Sequence, residues 1–247
     1  MARFNANAKD YTIEEAKPLP IILLLDTSGS MSGIKIDALN NACSRMIKKL
    51  KAEASKEVKV VLTVITFGNT GVKLVTNPPH QDVSKYEWQD LYPNGNTPMG
   101  TALKMAKDLI EDKETTPSRI YRPLVVLVSD GEPNDSWEQA LEAFIGNGRS
   151  SKCERLAMGI MCHTDVLERF VRGTGNAVIT ANDADDIVRF FKFVTMSVTQ
   201  SIHSKDPNQQ VSKILSIEKD TNKPAINVAN SNNPPSEPIQ DDDSFDF

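Results

Sequence analysis

Residues 21–25 (Ile-Ile-Leu-Leu-Leu) and 124–128 (Leu-Val-Val-Leu-Val) are wholly apolar. Runs of this length, bounded by turn residues, suit strands buried on both faces. Residues 58–67 carry seven β-branched side chains and predict a third buried strand. Between these runs the apolar period lengthens. Ile36, Leu39, Met46, Ile47 and Leu50 recur mostly at three- and four-residue intervals and predict a helix over 34–54. The same reading gives helices over 99–111, 136–145, 164–171 and 183–202, and strands over 155–161 and 176–180. After Gly68-Asn69-Thr70-Gly71, a short strand over 72–76 is expected to lie antiparallel at the sheet edge. Residues 77–98 are rich in Pro, Gly and Asn and read as one long irregular connection. Strands alternating with helices imply an α/β fold: a doubly wound (Rossmann-like), mostly parallel sheet with one antiparallel edge strand and helices on both faces.

Two of the apolar runs end in a carboxylate: residues 21–25 in Asp26, and 124–128 in Ser129-Asp130. In a parallel sheet both would lie on the C-terminal edge, where ligands of open sheets sit. Asp26 and Asp130 are about 100 positions apart in sequence but are expected at one site. Ser28 and Ser30 follow Asp26 within a Thr-Ser-Gly-Ser-Met-Ser-Gly loop. Every functional side chain offered there ends in oxygen, which suits hard cations such as Mg²⁺, Mn²⁺ or Ca²⁺ rather than zinc. The competing explanation is local: Asp or Ser after a strand commonly caps the next helix.

The chain has 247 residues and a formal charge of −5. From residue 200 onward, four Lys face eight Asp plus Glu, so the body is close to neutral. That gives no electrostatic case for nucleic-acid binding. No stretch of the sequence reaches the ~20 apolar residues of a membrane span. Residues 1–20 include Glu14, Glu15 and Lys17 without an apolar core, so neither a membrane nor a secretory signal is expected. Three cysteines without framework spacing fit reduced thiols in a cytoplasmic protein.

Enzyme motifs fail on spacing. Gly29 and Gly33 are separated by three residues and followed by Ile34-Lys35, whereas a phosphate loop needs four residues and then Lys-Ser/Thr. A dehalogenase-like site needs a second aspartate where Ser28 stands. No Gly-x-Ser-x-Gly elbow occurs. His80, His163 and His203 are scattered, and Cys153, Cys162 and His163 match no common zinc-finger spacing.

Asp26, Ser28 and Ser30 resemble the Asp-x-Ser-x-Ser signature of von Willebrand factor A (VWA) domains, with Thr97 in Asn-Thr-Pro-Met-Gly and Asp130 in Ser-Asp-Gly matching the family's two distal elements in order. The resemblance covers residues 17–203 as one VWA-type domain, leaving 1–16 as an N-terminal extension and 204–247 as an acidic tail of disorder-prone composition. It implies a metal-ion-dependent adhesion site (MIDAS) formed by Asp26, Ser28, Ser30, Thr97 and Asp130. The cation would be Mg²⁺ (or Mn²⁺/Ca²⁺), with one position open to a carboxylate from a partner protein. It also implies binding without catalysis. The motifs Leu-Leu-Leu-Asp-Thr-Ser-Gly-Ser-Met, Asn-Thr-Pro-Met-Gly-Thr-Ala-Leu and Ser-Asp-Gly-Glu-Pro-Asn-Asp further resemble the bacterial TerY-like subgroup. That similarity implies an intracellular adaptor in a stress-response, tellurite-resistance or defence system, beside kinase-like or phosphatase-like partners. The alternatives are a metal-dependent phosphoryl-transfer enzyme, or a metal-independent adaptor working through the tail.

Three further features have two readings each. Tyr86, Trp88, Tyr92 and Met99 flank Thr97 and are expected either to rim a binding surface or to pack their loop on the sheet. Glu132, Asn134 and Asp135 either shape the site's charge or cap the helix that starts near Ser136. Residues 241–247, Asp-Asp-Asp-Ser-Phe-Asp-Phe, either remain solvated or anchor Phe245 and Phe247 in a basic-rimmed pocket.

Overall fold

The computed structural model describes residues 16–53, 57–68, 71–205 and 208. The expectations for the N-terminal extension and the acidic tail fall almost wholly outside these residues. Seven strands form one sheet: β1 (Lys17–Thr27), β2 (Val58–Gly68), β3 (Gly71–Leu74), β4 (Gln81–Asp82), β5 (Leu124–Ser129), β6 (Glu154–Ile160) and β7 (Ile179–Ala181). The helices are α1 (Ile34–Ala52), α2 (Met99–Glu111), α3 (Trp137–Gly146), α4 (Asp165–Val171) and α5 (Ala184–Ile202). The spatial order is β3-β2-β1-β5-β6-β7, with β4 also on β2. β1 lies at the centre, parallel to β2 on one side and to β5 on the other. The chain order therefore reverses beside β1, and the crevice opens there.

Pleating explains the unbroken apolar runs. Leu19, Ile21, Leu23 and Leu25 of β1 join α1 and α5 in one core cluster. Ile22 and Leu24 point the other way, into a second cluster with α2, α3 and α4. Both sides are sealed: residues 21–25 are each 0% exposed.

The expected antiparallel edge strand is present as β3, paired with β2 from Ile65 to Gly68. The connection over 77–98 is less irregular than its composition implies. It contains β4, antiparallel to Val61 and Leu62 of β2, and a single 3₁₀ turn, Val83–Lys85. His80 fixes this segment: its ring nitrogens bond the hydroxyls of Thr63 (2.9 Å) and Thr116 (2.8 Å), and its N–H donates to Thr63 Oγ1 (2.8 Å). No helix among the described residues is long and apolar enough to cross a membrane.

Candidate metal centre

Register delivers the first carboxylate. β1 stays paired with β2 through Asp26 and Thr27, but its ladder with β5 ends at Leu25–Val128. Asp26 therefore stands at the mouth between the two strands, yet it is 0% exposed. Its Oδ1 accepts the N–H of Ser28 (2.7 Å) and its Oδ2 the hydroxyl of Ser129 (2.6 Å). The chain then turns through a 3₁₀ segment, Gly29–Met31, which carries Ser30 out to solvent. Gly33 (φ 77°) opens α1 in a left-handed conformation that side-chain-bearing residues rarely adopt.

A hydrogen-bond chain links four of the five expected ligands. Ser28 Oγ and Ser30 Oγ lie 3.0 Å apart, and the Ser30 hydroxyl donates to Asp130 Oδ1 at 2.7 Å. The side chain of Asp130 is fully buried, and its Oδ2 receives the ammonium of Lys35. Thr97, the fifth, is buried in the loop before α2 and is held there through its backbone. Its carbonyl accepts from Asn134 N (3.1 Å) and Met99 N (2.8 Å). That loop is tied to the first one by Gly29 N to Gly95 O (2.9 Å) and Asn94 N to Thr27 O (2.8 Å). The hydroxyl of Thr97 makes no hydrogen bond among the described residues and stays available as a ligand.

Asp135 completes this knitting of loops, in a role neither expectation assigned. It does not cap α3, whose N-cap Ser136 makes no side-chain capping bond. Its carboxylate instead accepts Gly100 N (2.9 Å), Thr101 N (2.8 Å) and the Thr101 hydroxyl (2.8 Å), capping α2 from another loop. Pro98, at the N-cap of α2, has no side-chain acceptor to offer, so the cap comes from elsewhere. Gly100 permits this approach: a Cβ there would meet Trp137 Cα at 2.6 Å.

The charge balance favours a cation. Two carboxylates are buried against one ammonium. Burial drives the Asp26 carboxyl above its ordinary range; the bonds from Ser129 and Ser28 oppose the rise, and the negative charge of Asp130 adds to it. The donors are all oxygen. Oxygens at ~2.1 Å on neighbouring positions of an octahedral ion lie ~3 Å apart. The Ser28–Ser30 spacing of 3.0 Å meets that figure without rearrangement. Among the described residues no group of three or more His, Cys, Asp or Glu is placed to hold a metal ion. Burial pushes the Cys153 thiol up to about 12 and raises Cys162 as well, so both are protonated at neutral pH.

Ser129 and Lys35 contact the candidate ligands Asp26 and Asp130, and motif reading missed them. Lys35 had a signal: a cation in the first turn of a helix opposes the helix dipole and calls for an acidic partner. The aromatic rim divides. Tyr86 and Met99 are buried, Trp88 packs partly buried against the core, and only Tyr92 stands out, 83% exposed. Two other large apolar side chains share its edge of the sheet, Ile34 at the start of α1 (74% exposed) and Met161 after β6 (60%).

Residues 21–132 match the von Willebrand factor type A domain. No curated protein matches the chain. Among solved structures it resembles a von Willebrand factor type A protein from Catenulispora acidiphila at 21% identity and a TM-score of 0.57, covering 74% of this chain and 43% of that one. The pilus adhesin SpaC of Lactobacillus rhamnosus GG gives 16% identity and 0.62, over 76% of this chain and 30% of that one. Proximal thread matrix protein 1 of the mussel byssus, with a zinc-occupied MIDAS motif, gives 17% and 0.53, over 74% and 48%. The chain spans less than half the length of each of these proteins. At such identities the likeness is one of fold. The match over residues 21–132, less than half of the chain, and the shared fold together make this chain similar to von Willebrand factor type A domains.

Proposed function

We propose that this protein is a divalent-cation-dependent protein-binding module. Asp26, Ser28, Ser30, Thr97 and Asp130 would hold the ion, and Asp26 is anchored for it by Ser129. Held there, a cation would supply a Lewis-acidic position for an acceptor oxygen from outside. Three of the five ligands are neutral hydroxyls, which leaves residual positive charge to attract a partner's carboxylate. The observation that carries the reading is the setting. A linked, all-oxygen, charge-deficient cluster lies on the sheet edge that also bears Ile34, Tyr92 and Met161. Exposed apolar side chains around a polar centre suit protein docking more than turnover of a small molecule.

The mussel protein's MIDAS motif takes zinc. Here the all-oxygen donor set favours Mg²⁺ or Mn²⁺. The module is read as non-catalytic because the hydroxyls and carboxylates of the cluster are all taken up in holding the ion or in anchoring its ligands. The TerY-like motifs support the finer proposal of a cytoplasmic adaptor in a bacterial stress, tellurite-resistance or defence system, with a kinase-like or phosphatase-like partner.

The test is affinity capture by the full chain in 5 mM-range Mg²⁺ and in EDTA, repeated with Asp26→Ala, alongside a phosphomonoester turnover assay. A partner retained in Mg²⁺ and released both by EDTA and by Asp26→Ala supports the reading. Retention that ignores both, or Asp26-dependent turnover, overturns it.

A further inference from the structure

We propose that the acidic, aromatic segment at residues 241–247 docks into a groove between α1 and α5 of its own chain. This inference is independent of the cation site.

The groove has a volume of about 470 Å³. Its floor is apolar: Ala42 and Met46 of α1 face Val188 and Phe191 of α5. Met196 stands in its wall and is 42% exposed, among the few large apolar side chains left open to water. A floor of this kind takes aromatic rings. The rim is basic. Arg45, Lys49 and Lys192 line it against a single carboxylate, Glu53. Lys49 is paired with Glu53 at 2.6 Å, whereas Arg45 and Lys192 have no ion pair among the described residues.

Residues 241–247 read Asp-Asp-Asp-Ser-Phe-Asp-Phe and contain four carboxylates, two aromatic rings and no cation. Phe245 and Phe247 are two positions apart. In an extended backbone they fall on one face and Asp246 on the other. Two rings can then enter the apolar floor while the Asp241–Asp243 carboxylates meet Arg45 and Lys192. Residues 1–15 fit less well: Arg3 and Lys9 offset most of the charge of Asp10, Glu14 and Glu15, whereas the four carboxylates of residues 241–247 stand against no cation.

The tether is long enough. Asn208 is held at the sheet's lower end, its Oδ1 accepting the N–H of Arg122 (2.7 Å), and 32 residues separate it from Asp241. A coil of that length has a root-mean-square reach of ~30 Å. The stretch of α5 from Val188 to Gln200 is only ~18 Å long. A tethered ligand within such reach acts at an effective concentration in the millimolar range, so a weak intrinsic contact suffices for substantial occupancy.

The experiment uses methionine-methyl NMR on the full chain. Met46 and Met196 line the groove, whereas Met31 and Met99 are buried elsewhere and serve as internal controls. Replacing Phe245 and Phe247 together by Ser should remove the ring-current shifts of Met46 and Met196 and leave Met31 and Met99 in place. The pair Arg45→Glu with Lys192→Glu, or half-molar salt, should reproduce the same loss. Met46 and Met196 resonances identical in wild type and the Phe245→Ser, Phe247→Ser variant overturn the proposal. So do shifts that grow with protein concentration alongside a sedimenting dimer, because the occupant is then a second copy.

Discussion

Two buried polar clusters in this molecule look alike by composition and differ in closure. Around His80, both ring nitrogens meet threonine hydroxyls, and neighbouring Arg149 spends its guanidinium on the carbonyls of Ile110, Thr116 and Pro117. Among the described residues each of these donors has its acceptor. Around Asp26, one of two buried carboxylates, Asp130, is paired with the Lys35 ammonium while Asp26 has only hydrogen bonds, the hydroxyl of Thr97 is unengaged among the described residues, and Ser30 faces solvent. A closed network stabilises a fold, while an open one with excess charge of one sign has bonding capacity left over. Burial alone does not separate the two; the balance of donors, acceptors and charge does.

The largest expected effect breaks the open cluster. Asp26→Ala should abolish all stabilisation by Mg²⁺ or Mn²⁺ in thermal unfolding. A wild-type chain at 100 times its Kd should gain ~2.7 kcal/mol. In EDTA, Asp26→Asn should unfold at the same or a higher temperature than wild type. The reason is a sign argument: a carboxyl whose folded pKa is raised destabilises the fold in its ionised form, so removing the charge costs nothing on that account.

The closed cluster predicts the next effect. Burial, reinforced by the positive charge of Arg149, depresses His80 from 6.5 to about 4. The unfolded chain therefore takes up a proton first as pH falls. This contribution to stability is complete above 6.5, declines between 6.5 and about 4, and amounts to at most ~3 kcal/mol, less for partial solvent access. Denaturant midpoints against pH should show that limb, and His80→Gln should flatten it. An unchanged limb would assign the acid sensitivity to other groups.

Smaller effects sharpen the contrast. Tyr92→Ala should weaken partner binding by ~1–2 kcal/mol, as loss of an exposed aromatic anchor does, and leave cation affinity untouched. Surface plasmon resonance in saturating Mg²⁺ reads the first and calorimetry the second. Lys35→Met should raise cation affinity, because the ammonium and the metal compete for Asp130. For a pair that is partly solvated on the lysine side the gain is ~1 kcal/mol, about fivefold. A fall in affinity would mean that Lys35 helps to hold the site open.

Much of this was legible along the chain. The apolar runs and their carboxylate ends placed β1 and β5 and with them Asp26 and Asp130. The helix Met99–Glu111 has the bounds its periodicity implies. What escaped was set by tertiary hydrogen bonds, which leave no period. Strand β7 begins at Ile179 rather than at 176: the N–H of Asn176 goes to the Thr174 hydroxyl (3.2 Å) instead of the ladder, and its side chain donates to Glu154 and to the carbonyl of Arg155. Arg155 reads as a strand residue but crosses to Phe170 O (2.7 Å) and Arg172 O (2.8 Å) at the end of α4. Asp135, capping α2 from 35 positions away, and Lys35, meeting Asp130 across 95, belong to the same class. Such partners follow from the fold rather than from spacing.

Isothermal titration of the full chain with Mg²⁺ tests the central claim most directly. A single saturable site in wild type is predicted, lost in Asp26→Ala, weakened in Ser28→Ala and Ser30→Ala, and tightened in Lys35→Met. Absence of binding in wild type, or binding that persists unchanged in Asp26→Ala, would contradict it.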